Sequence, residues 1–174
     1  MRTLTRSAFA GTLVIAAILT AVVPAQAAPP AGSPSEVNRL LAQTRAAVAE
    51  YHDVEAALAA GYIPISECVE APGVGAMGVH YLNPALVAPG APVDPGSPQM
   101  LTYGPSETGE LELWAAEFFE PDVGQPTPMY GSQPFDGPMP GHGPGAPVHY
   151  DLHVWVGKHN PDGVFAEFNP ALHC

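Results

Sequence analysis

The chain of 174 residues is expected to fold as α+β, with one amphipathic N-terminal helix packed on a small antiparallel β-sheet. Three observations predict this. Apolar residues recur at helical spacing in one stretch near the N-terminus. They alternate with a period of two in about five short stretches after it. Long Pro- and Gly-rich segments separate those stretches, in a chain with 22 prolines and 18 glycines. The sheet is read as small, with curling into a barrel or a sandwich as its closed variants.

The first segment reads as a signal peptide over residues 1–27. Arg2 and Arg6 form a basic start, residues 8–23 are apolar, and Ala25-Gln26-Ala27 is a small-x-small cleavage site. Pro24 ends the apolar run short of the ~20 residues a membrane span needs. Arg2 and Arg6 are not adjacent, which points to general secretion rather than a twin-Arg route. A secreted chain starting at Ala28 is therefore expected, with a tail over 28–33, one domain over 34–174 and no membrane insertion after cleavage.

The helix is expected to start at Ser33, a good N-cap, with Pro34 at the first helical position and Glu36 completing a capping box. Val37, Leu40, Leu41, Thr44, Val48, Tyr51, Val54 and Leu58 form its apolar stripe, and Gly61 stops it. His52 falls beside the stripe and reads as a surface residue. Residues 62–66 read as a short edge strand, because Pro64 cannot donate to a central ladder. Residues 77–83 alternate, with Met77, Val79 and Tyr81 on one face and Gly78, His80 and Leu82 on the other. Residues 84–98 read as a loop. Residues 99–103 and 110–120 form the clearest hairpin, and residues 121–145 a second long loop. Residues 148–156 form the last strong strand.

Charge narrows the function classes. Beyond residue 27 only Arg39, Arg45 and Lys158 are basic, against 17 acidic residues. Nucleic acids and anionic membranes need clustered basic side chains, so neither is an expected partner. Cys68 and Cys174 are the only cysteines, and in an exported chain they are expected to pair. Their ~100-residue loop would be worth ~4–5 kcal/mol in the chain-entropy model. No nucleophile elbow, phosphate loop, dinucleotide fingerprint or EF-hand is present.

The chemical lead lies on the strands. Side chains at i and i+2 share a face about 6.6 Å apart. His149, Asp151, His153 and Trp155 thus share one face of the last strand, a composition unlike a merely solvated surface. His149 and His153 stand about 13 Å apart on a straight strand, too far for one ion. His153 is the expected ligand, joined by Asp151 or by neighbouring strands, and Asp151 can instead orient a ligating imidazole. Glu117 falls in the row Leu111, Leu113, Ala115, Glu117, Phe119, where a carboxylate is costly unless paired or metal-bound. His80 is an available partner, and Gly78 beside it is expected to leave room. His142 lies in a Pro-Gly-His-Gly-Pro loop able to fold over a site, downstream of Met129 and Met139.

The expected site is therefore a divalent-metal centre built on His80, Glu117 and His153, with His142 or His149 as a further ligand. Imidazole plus carboxylate suits zinc, manganese or iron, and imidazole plus thioether suits copper. Glu117 is also the candidate catalytic group, as a general acid or base with a His if no metal is used. A small molecule is the expected partner besides the ion. His159 and His173 read as structural or solvated. The contrasting reading is a non-catalytic envelope or interaction protein that holds no metal.

The segments 51–53 (YHD), 77–81 (MGVHY), 133–142 (QPFDGPMPGH) and 149–155 (HYDLHVW) resemble those of a family of uncharacterised secreted bacterial proteins, many of them from actinobacteria. The resemblance spans most of the chain after residue 27. It implies export from a bacterial cell and no particular activity.

Overall fold

A computed structural model describes residues 33–141 and 145–174. The expected signal peptide, residues 28–32 and His142 lie outside the described residues. Ser33 opens α1 (Pro34–Ala47): its Oγ accepts the Glu36 N–H at 3.2 Å, and Pro34 starts the first turn. Leu40, Leu41 and Thr44 are buried, as the stripe predicts. The helix does not run on to Gly61. It gives way to a 3₁₀ turn (Ala49–His52) and a short second helix, α2 (Val54–Ala59). Asp53 has an extended backbone, and its side chain accepts the Glu55 N–H at 3.0 Å. A short carboxylate that bonds nearby backbone favours a new cap over helix continuation. The break also rotates the stripe, so Ala57 is buried and Leu58 is exposed.

Among the described residues nine strands follow: β1 (Ile63–Pro64), β2 (Val69–Ala71), β3 (Gly75–Leu82), β4 (Met100–Pro105), β5 (Leu111–Pro121), β6 (Met129–Tyr130), β7 (Gln133–Pro134), β8 (Asp136–Met139) and β9 (His149–Val154). The main sheet runs β1-β3-β4-β5-β9-β8, with β2 also on β3, and every pair is antiparallel. β6 and β7 form a separate small hairpin. The sheet is open: β1 and β8 are its ends and do not pair, so neither closed variant is formed. The segment 121–145, expected to be a loop, supplies β6, β7 and β8 from Pro- and Gly-rich residues.

The helices cover one face. Leu40 and Leu41 pack with Phe118, Tyr150, Leu152 and Val154, while Val48 and Ala57 pack with Tyr81, Leu101, Tyr103 and Ala116. The Pro-rich segment 87–99 is moored to the same side, where Thr44 Oγ1 donates to the Pro95 carbonyl at 2.9 Å and Tyr62 OH to the Pro98 carbonyl at 2.8 Å.

One expectation about faces is corrected. Thr102 opposes Ala115 and Tyr103 opposes Leu113, so Trp114 is an extra residue in β5. This bulge sends Leu113 to the helix side and leaves Trp114 with Ala115, Ala76 and Trp155 on the other face. The indole lies flat over the backbone there: a Cβ on Gly104 would stand 2.0 Å from its ring. Gly78 has φ +101, and a Cβ on it would stand 2.5 Å from the Tyr103 carbonyl oxygen. The room expected beside His80 is thus filled by backbone and by the Trp114 ring.

Cys68 and Cys174 form the expected disulfide, with Cα atoms 5.8 Å apart. Around it, Glu70 accepts the Cys174 N–H at 2.9 Å, and Asn169 bridges Ala76. Among the described residues no helix is long and apolar enough to cross a membrane.

Candidate metal centre

Strand pairing builds the site. Leu82, Met100, Glu117 and His153 lie in one row across β3, β4, β5 and β9, and His80 lies in the next row opposite Thr102. Residues in register share a face. His80, Glu117 and His153 therefore all project from the face away from the helices.

They meet. One ligating atom from each residue lies within 4.8 Å of the others. Glu117 Oε2 stands 3.4 Å from His80 Nε2 and 3.6 Å from His153 Nε2. All three are buried, at 8% exposure for His80, 3% for Glu117 and 2% for His153. Two donors each about 2.1 Å from one ion, at a tetrahedral angle, are about 3.4 Å apart. The observed separations fit that spacing. They are too long or too poorly aligned for hydrogen bonds to Oε2, which accepts none among the described residues. A buried carboxylate oxygen in that condition is costly without a cation. Burial, reinforced by the charge of Asp151, pushes the Glu117 carboxyl well above its ordinary range. In the absence of a cation the site thus favours the neutral acid.

The surroundings orient the ligands. His80 Nδ1 is 3.1 Å from Ser66 Oγ, and the same oxygen accepts the His80 N–H at 3.0 Å. Ser66 can accept from Nδ1–H and so leave Nε2 free to ligate. Sequence reasoning missed Ser66. Its only signal is a place at the end of an expected edge strand, and no spacing links it to His80. The His153 ring stacks on Trp155, with centroids 6.1 Å apart and planes at 21°.

His149 and Asp151 lie further along β9, at 4% and 3% exposure. His149 Nε2 is 3.3 Å from Asp151 Oδ2, its Nδ1 is 3.1 Å from the Pro147 carbonyl oxygen, and its ring packs on Phe119. His149 is thus engaged with Asp151, outside the three-residue cluster. His52, His159 and His173 are exposed, and His173 meets Glu70 at 3.0 Å. Compared with known proteins, the chain matches no family model, no curated protein and no solved structure. The residues themselves must carry the functional reading.

Proposed function

We propose that this chain is a secreted metal-binding protein whose ion is held by His80, Glu117 and His153. The observation that carries this is the buried Glu117 oxygen set 3.4 and 3.6 Å from two imidazole nitrogens on two other strands. Two imidazoles and a carboxylate suit zinc, manganese or iron. When bound, such an ion supplies Lewis acidity and the positive charge that the buried carboxylate lacks. The chain's own part is positioning: Ser66 fixes the His80 ring, Trp155 backs His153, and the strand register aims Glu117 between them.

The depth of the cluster favours retention of the ion over its presentation to a bulky substrate. Any small molecule acting there would enter past His80, the most exposed of the three. Export is supported by the signal-like residues 1–27 and by the Cys68–Cys174 bond.

Elemental analysis of protein purified without chelators tests the proposal. About one zinc, manganese or iron per chain is expected, falling several-fold in His80→Ala and Glu117→Gln. Wild-type protein that carries no ion and takes none up on dialysis against these metals would refute it.

A further inference from the structure

The helix-facing side of the sheet holds a buried carboxylate of its own. Glu120 is 8% exposed, and its Oε1 accepts the Gly90 N–H. No ion pair reaches it among the described residues, where the one pair made by a lysine or arginine joins Lys158 to Glu112. Glu120 lines a cavity of about 150 Å³ together with Phe118, Phe135, Leu86, Val93 and Gln99. A wider cleft adjoins it and shares Ala91, Pro92, Val93 and Glu120. The moored segment 87–99 closes the cavity against β5, so its walls are held by buried hydrogen bonds.

We propose that this cavity binds a small primary organic ammonium ion, with the ammonium on Glu120 and an apolar body resting against the wall that Phe118 and Phe135 form together. Size sets the body, because a cavity of about 150 Å³ holds a molecule as large as benzene. Charge sets the head group. A buried carboxylate without a cationic partner is a strong site for an N⁺–H donor. Other ligands fit worse. An anion meets Glu120 directly. A neutral apolar molecule leaves the carboxylate uncompensated. A bare divalent ion needs several oxygen donors, and the nearby Asp94 is already bonded to the Gly96 N–H and the Ser97 hydroxyl. This site lies across the sheet from the metal cluster and does not depend on it.

Calorimetric titration of the full mature protein with benzylammonium chloride and with benzyl alcohol tests the proposal. Salt at about 0.15 M screens the general attraction of cations to a chain with 17 acidic residues against three basic ones beyond residue 27. Benzylammonium is expected to bind at least about tenfold tighter than the alcohol. Glu120→Gln should erase that preference. Ala91→Phe, which plugs the shared wall and keeps the carboxylate, should abolish binding of both, and it carries the test if Glu120→Gln does not fold. Equal affinity for amine and alcohol overturns the proposal. So does unchanged amine binding in both cavity variants, or the absence of binding at about 10 mM amine.

Discussion

Thr102 lies between His80 and Ala115 in the sheet, and its hydroxyl is buried with no hydrogen-bond partner among the described residues. An unmade buried hydrogen bond costs about 1–3 kcal/mol, and replacing the group by an apolar one of the same shape removes that cost. Thr102→Val is therefore expected to keep the unfolding free energy or raise it by up to about 1 kcal/mol, read from urea denaturation, with metal content unchanged. A clear loss of stability would show that the hydroxyl serves the site. Glu117 and His153 were legible as site residues for a related reason: each is an expensive side chain on an apolar strand. Ser66 was not, because a serine at a strand end costs nothing and so leaves no trace.

Among the elements, the strands with clean alternation were legible, and their boundaries fall within a few residues of those expected. The missed strands β2, β6, β7 and β8 are two to four residues long. Such pieces pair because their neighbours are already in place, which local pattern cannot report. The Trp114 bulge was hidden too, since skipping one residue leaves the apolar count unchanged while reversing which face each side chain takes. The helix break was written in Asp53, a short carboxylate whose side chain caps a new helix. Its cap on α2 gives a direct check. Asp53→Ala should cost about 1 kcal/mol in chemical unfolding, and Asp53→Asn should recover most of it. No loss on Asp53→Ala would mean that α2 is held by Ala57 and Tyr62 packing alone.

At the scale of the whole molecule, the Cys68–Cys174 bond closes a loop with a sequence separation of 106 residues, nearly the whole of the sheet. Reduction should lower unfolding free energy by up to about 4–5 kcal/mol, read as a shifted urea midpoint with and without dithiothreitol. An unchanged midpoint would show that the unfolded chain gains no freedom when the loop opens. The sheet's shape carries a different consequence. Strands β3 and β9 are three spacings apart, roughly 14 Å at the backbone, yet the rings of His80 and His153 have centroids 5.7 Å apart. The two side chains can close that gap only by leaning inward over a hollow. An ion clasped between them would then gauge curvature: flattening the hollow pulls the imidazoles off before any strand lets go. Metal would be shed early, while the backbone ladder still reads as intact.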